Sequence, residues 1–132
     1  MIGLDTNVLV RYFAQDDATQ SAAANKVMAN LSKDAPGFVS LVVLCELVWV
    51  LEDAYNVAKP QLIELLVSVL ESDEFVIERK PVAWAALEQY RASGLDFSDA
   101  VISLCGLDAG CQHTLTFDRA ASKARGFQLL KA

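Results

Sequence analysis

The sequence is short of the residues that build covalent or zinc frameworks. Its 132 residues include three cysteines, Cys45, Cys105 and Cys111, and one histidine, His113. An odd cysteine count leaves no paired framework and fits a reducing compartment, so the three are expected as core side chains. A zinc site on Cys105, Cys111 and His113 would lack both a tight Cys-x-x-Cys pair and a fourth ligand. No apolar run reaches the roughly 18 residues of a bilayer span. The longest near-continuous one, Leu41 to Leu51, is interrupted by Glu46. The N-terminus has no basic region before an apolar core, which reads against a signal peptide and for a soluble, cytoplasmic protein. With no linker, low-complexity segment or repeat, the length predicts a single domain over residues 1–132.

Positive charge is scarce too. Lys and Arg number 11 against 17 Asp and Glu, a formal charge of −6. Affinity for phosphate normally rests on Lys and Arg, so this balance is awkward for a nucleic-acid binder. It becomes reasonable if acids are concentrated at one site and neutralised by bound cations. Arg11, Arg79, Lys80, Arg91, Arg119, Lys123 and Arg125 are the candidate phosphate contacts.

What the chain does have is a series of acids at the ends of predicted strands or the starts of predicted helices. Met1 to Leu4 reads as a short buried strand that ends at Asp5, and a helix through about Phe13 follows at once. In open α/β sheets, ligands sit beyond the carboxyl ends of the strands. Asp5 is therefore placed for chemistry, although capping alone would also account for it. Asp16 or Asp17 starts a second helix through Leu31, with Ala22, Ala23 and Val27 among its inner residues. Phe38-Val39 is a short strand, and Ser40 caps a helix over Leu41 to about Ala54. Between Leu41 and Leu51 that helix is apolar except at Glu46, which puts a carboxylate in or beside the core. A solvent stripe running from Glu46 to Glu52 and Asp53 is the plainer alternative.

Pro60 fits the first turn of a helix over Gln61 to Leu70, Phe75-Val76-Ile77 is a strand, and Pro81 opens a helix through Arg91. Asp96 and Asp99 have a capping-box spacing, and Asp99 falls in the first turn of an apolar helix, where the helix dipole favours an anion. Thr114 to Phe117 is a strand followed directly by Asp118 and a short helix, Arg119 to Lys123. Phe127 to Leu130 is the last strand. Strands alternating with helices imply an α/β fold with a parallel sheet of about five short strands. Asp5, Glu46, Asp99 and Asp118 are the candidate site residues, and an all-carboxylate site suits Mg2+ or Mn2+. Such sites hydrolyse phosphodiesters, the ion activating water and stabilising the charged transition state.

Taken together, Met1-Ile2-Gly3-Leu4-Asp5-Thr6-Asn7, Leu44-Cys45-Glu46-Leu47-Val48-Trp49, Asp96-Phe97-Ser98-Asp99-Ala100 and Thr116-Phe117-Asp118-Arg119 resemble the PIN-domain family. Within that family the match is similar to the VapC toxins of bacterial toxin–antitoxin pairs, and it covers essentially the whole chain. The resemblance implies an α/β/α sandwich and a Mg2+- or Mn2+-dependent endoribonuclease. Its acidic site would be Asp5, Glu46, Asp99 and Asp118, steadied by Thr6, with Asp96 as a further acid. It also implies a cognate VapB-like antitoxin over the active-site groove and a toxin homodimer or toxin–antitoxin hetero-oligomer. Trp49, Tyr55 and Trp84 are compatible with apolar partners but read first as core aromatics. Two rivals remain. An aspartyl-phosphate enzyme on Asp5 would want a second Asp where Asn7 stands. The other is a catalytically silent domain that keeps the fold and binds RNA or protein.

Overall fold

In the computed structural model, which describes residues 1–132, the opening strand β1 is only Ile2–Gly3. It runs parallel to β2 (Gly37–Val39), which in turn runs parallel to β3 (Phe75–Ile77). β1 is the edge of this sheet, with Ile2 52% exposed, so the buried strand expected here is not found. Only Leu4, just past the strand, reaches the core. Gly37 is required by this approach: a Cβ there would lie 2.6 Å from the Leu4 side chain.

The chain divides into two compact units, Met1–Lys80 and Pro81–Ala132. In the first, α1 (Thr6–Ala14) and α2 (Ala18–Ala29) join β1 to β2, and α3 (Leu41–Asp53) and α4 (Lys59–Glu71) join β2 to β3. Parallel pairing brings the carboxyl ends of all three strands out on one edge, so Asp5, Ser40 and Glu78 follow them there. α1 ends because Gln15 adopts a left-handed conformation (φ 53°), and the Asp17 side chain accepts from the Gln20 amide to start α2. α2 buries Ser21, Ala24 and Met28 instead of Ala22, Ala23 and Val27. The alanine-rich helix has little amphipathic signal, and the Ser21 hydroxyl, donating to the Arg11 carbonyl at 3.0 Å, turns its own face inward.

α3 and α4 pack together and supply most of the first core: Leu44, Leu47, Leu62, Leu66, Val69 and Leu70 are fully or almost fully buried. Truncating any of these leucines to alanine should cost about 2–5 kcal/mol. The expectation that α3 is buried all round is corrected, because Val42 and Trp49 are 67% and 65% exposed. Pro60 stands in the first turn of α4, as expected of a residue lacking the amide hydrogen.

The second unit holds α5 (Lys80–Ala92, from its second residue), α6 (Phe97–Asp108), β4 (Thr114–Thr116), a 3-10 turn (Ala121–Lys123) and β5 (Phe127–Leu129). β4 and β5 pair in parallel as a sheet of their own. The five expected strands are thus present and all pairings are parallel, divided between a three-stranded and a two-stranded sheet. The first unit alternates strands with helix pairs and the second sets two helices ahead of its strand pair, an α/β fold. Tyr90 meets Phe97 edge to face at 5.9 Å, joining α5 to α6. None of the cysteines is a core residue: Cys45 and Cys105 are half-buried and Cys111 is exposed. No helix is long and apolar enough to cross a membrane.

β5 enters through Gly126, whose φ of +92° is costly for any side chain, and a Cβ there would run into the Ser103 hydroxyl. That hydroxyl is fully buried and donates to the Arg125 carbonyl at 2.9 Å. Gly126→Ala is therefore expected to destabilise the protein by about 1–3 kcal/mol in urea titrations. An unchanged denaturation midpoint would show that this turn relaxes freely.

Candidate active site

In the first unit the site begins with a helix cap. Asp5 has extended backbone (φ −82°, ψ 160°), and its Oδ1 accepts from the Thr6 amide at 2.8 Å, so capping is part of its role. The Thr6 side chain is buried, and its hydroxyl donates to Glu46 Oε1 at 2.7 Å. This bond ties the start of α1 to the middle of α3 and brings Asp5 and Glu46 into one neighbourhood through Thr6. Glu46 itself is exposed, on the solvent stripe that also carries Val42 and Trp49, not inside the core. α3 packs on α1 and α4, and these contacts leave the face with Val42, Glu46 and Trp49 to solvent.

α3 is held at its N-terminus by two oxygens. Ser40 Oγ accepts from the Val43 amide at 3.2 Å, as predicted, and Glu78 Oε1 accepts from the Leu41 amide at 3.0 Å. Sequence reading missed Glu78, although a signal existed: it follows β3 directly, the same strand-then-acid order as Asp5 and Asp118. The other end of α3 is tied down by Tyr55, whose hydroxyl donates to Asp16 at 2.7 Å and accepts from Arg11 at 3.0 Å. The hydrogen bond from Tyr55, with help from Arg11, holds the Asp16 carboxyl below its usual range despite partial desolvation. Arg11 also bonds Gln20 at 2.7 Å, so this candidate phosphate contact is engaged within the fold. Between α1 and α2 lies an open groove of about 350 Å3 lined by Asn7, Val8, Arg11, Gln20, Ala23 and Val27, among others.

In the second unit the acids are arranged differently from the expected capping box. Asp96 occupies the N-cap position of α6, but its side chain makes no capping hydrogen bond. Asp99 sits in the first turn, where the helix dipole would favour its charged form. Its pKa is nevertheless raised, first by burial, then by the neighbouring Asp96 and Asp118 carboxylates. Desolvation and like charge thus act against the charged form that the helix dipole favours. Asp118 follows β4 and opens the 3-10 turn: its Oδ1 accepts from the amides of Ala120 at 2.8 Å and Ala121 at 3.2 Å. Its own amide donates to Thr116 Oγ1 at 3.0 Å.

The four predicted acids thus fall into two sets, Asp5 and Glu46 in the first unit, Asp99 and Asp118, with Asp96, in the second. No three His, Cys, Asp or Glu side chains stand as a group that could hold a metal ion. The donor chemistry is that of a hard cation, all carboxylate oxygen. A divalent ion would also relieve the repulsion that acts on Asp99. Of the three aromatics named from the sequence, Trp49 is exposed, while Tyr55 and Trp84 are half-buried.

The raised pKa of Asp99 sets a pH dependence. Below the ordinary value of 3.8 the carboxyl is protonated in both folded and unfolded chains and carries no penalty. As pH climbs through the raised folded value, ionisation disfavours the folded state. Asp99→Asn should therefore melt a few degrees higher than the parent at neutral pH without metal. The difference should vanish below about pH 4. Melting curves of the two proteins across pH test this, and an Asn variant that melts lower at neutral pH would make Asp99 a structural anion.

Among curated proteins, none matches the chain. A family model described as PIN domain matches residues 2–126, nearly the full length. The chain belongs to the PIN-domain family, whose members are generally nucleases.

Proposed function

We propose that the protein is a divalent-metal-dependent endoribonuclease of the VapC toxin type, working as one domain over residues 1–132 and restrained by a VapB-like antitoxin. The observation that carries this reading is the setting of Asp99. Burial raises its pKa first and the Asp96 and Asp118 carboxylates raise it further, a concentration of negative charge that a bound divalent cation would offset. The Thr6–Glu46 bond supports it from the other unit, since a buried hydroxyl fixes the orientation of the Glu46 carboxylate. The carboxylates we assign to Mg2+ or Mn2+ are Asp5 and Glu46 in the first unit and Asp99 and Asp118 in the second; the ion, when bound, would supply an activated water and offset charge on the phosphodiester. The groove between α1 and α2, apolar in its walls and polar at Asn7 and Gln20, suits a segment of the antitoxin. A cytoplasmic location and assembly as a homodimer or with the antitoxin belong to the same reading.

The catalytically silent alternative draws on one feature. Asp5 and Asp118 each accept backbone hydrogen bonds, as a purely structural cap would. Cleavage assays separate the two. Purified protein should cut single-stranded RNA internally in Mg2+ or Mn2+ and stop in excess chelator. Asp99→Asn should lower the rate by more than about a hundredfold, because even the outer partners of metal ligands are worth 10–100-fold. Expression without the antitoxin should arrest growth, and Asp99→Asn should relieve the arrest. Full cleavage in excess chelator, or equal activity in a folded Asn variant, would overturn the reading.

A further inference from the structure

The turn between β3 and α5 holds a residue whose backbone the local structure does not explain. Arg79 has a φ of 46°, in the left-handed region that side chains other than glycine rarely occupy. Gln15 and Asn56 share that region, but Gln15 caps α1 and Asn56 lies just past the end of α3. A left-handed residue is a common way for a helix to end. No helix precedes Arg79, and glycine would take its conformation without strain. Outliers of this kind cluster where a side chain is needed for function.

The place of Arg79 is firmly set. The Glu78 amide donates to the Val39 carbonyl at 3.0 Å, and Glu78 Oε1 accepts from the Leu41 amide at 3.0 Å. Arg79 thus follows a residue clamped to the end of β2 and to the start of α3, the helix that carries Glu46. It stands exposed on the carboxyl edge of the parallel sheet, the edge on which Asp5 follows β1. β1 and β3 flank β2, so their ends are about 10 Å apart. The other basic residues of the first unit are occupied or placed elsewhere. Arg11 bonds Asp16, Tyr55 and Gln20. Lys26 and Lys33 lie on the way into β2, toward its amino end. Lys59 follows the connection that Tyr55 fastens to Asp16, past the C-terminus of α1. Lys80 already belongs to α5.

We infer that Arg79 is a substrate-positioning residue that grips a backbone phosphate of the RNA beside Asp5 and Glu46. The inference rests on the nuclease reading and names which basic residue holds the chain. Charge selects the ligand. A guanidinium offers forked donors that match the oxygens of a phosphate. The Asp5 and Glu46 carboxylates repel that same phosphate, so a fixed cation on their edge is what lets a polyanion approach.

Arg79→Gly separates function from structure, because it removes the side chain and relieves the backbone. The variant should melt no lower than the parent. It should raise KM for a short single-stranded RNA by about tenfold or more, the worth of a hydrogen bond to a charged group, while kcat changes far less. Arg79→Lys keeps the charge and should recover most of the loss. Binding is read without cleavage in an Asp99→Asn background free of divalent ions, by fluorescence anisotropy of a labelled single-stranded RNA. There the plot of log K against log salt should be shallower by about 0.7 for Arg79→Gly, the loss of one phosphate contact. If the parent cleaves RNA but Arg79→Gly leaves KM and the salt slope unchanged, the inference is overturned and the nuclease reading stands. If the parent does not cleave but the slope falls with Arg79→Gly, the nuclease reading falls and the phosphate contact survives. A lower melting temperature with an unchanged slope would make Arg79 a structural part of the turn and overturn the inference.

Discussion

The hydrogen bond from Thr6 to Glu46 spans 40 residues of sequence and joins the start of α1 to the middle of α3. A hydroxyl buried this well needs a partner, since leaving it unsatisfied costs roughly 1–3 kcal/mol. The partner it finds is a carboxylate on an exposed helix face. The bond therefore holds Glu46 against the start of α1, where Asp5 closes the same turn from the other side. The remaining supports of α3, Ser40 and Glu78 at one end and Tyr55 at the other, keep that helix in the register the bond requires.

The fold was legible wherever a local signal decided it. Asp5, Asp17 and Ser40 cap the helices they were expected to cap, Pro60 opens α4, and Phe75–Ile77 is a strand over the predicted residues. What could not be read were properties set by neighbours distant in sequence. An apolar α3 looks buried on every side until one knows that no element covers Val42 and Trp49. Asp96 has the spacing of a capping box, yet its side chain does not cap. Asp99 lies at a helix start that favours an anion, but its burial beside Asp118 depends on residues almost twenty positions away. The candidate acids were legible because each follows a strand or starts a helix; how they share charge was not.

The scarcity of basic residues takes on a second meaning once the pairings are known. Arg11 is tied to Asp16, and Arg91 lies 3.4 Å from Glu88 on the surface of α5. Exposed pairs of this kind contribute little to stability, but they draw on an already small stock of positive charge. Under the proposed function, contact with RNA would have to draw on neutral groups and bound cations more than on the chain's own basic side chains.

The brevity of the strands has a consequence for the order in which the protein opens. Strands of two or three residues contribute few ladder hydrogen bonds, and β1 has a partner on one side only. Lasting protection of backbone amides must then reside in the helices around Leu44, Leu47, Leu62 and Leu66. Hydrogen exchange should be slowest in α3 and α4 and fast in β1. The loop that carries Asp5 continues directly from β1, so Asp5 shares the low stability of the sheet edge while Glu46 stands on the helical pair.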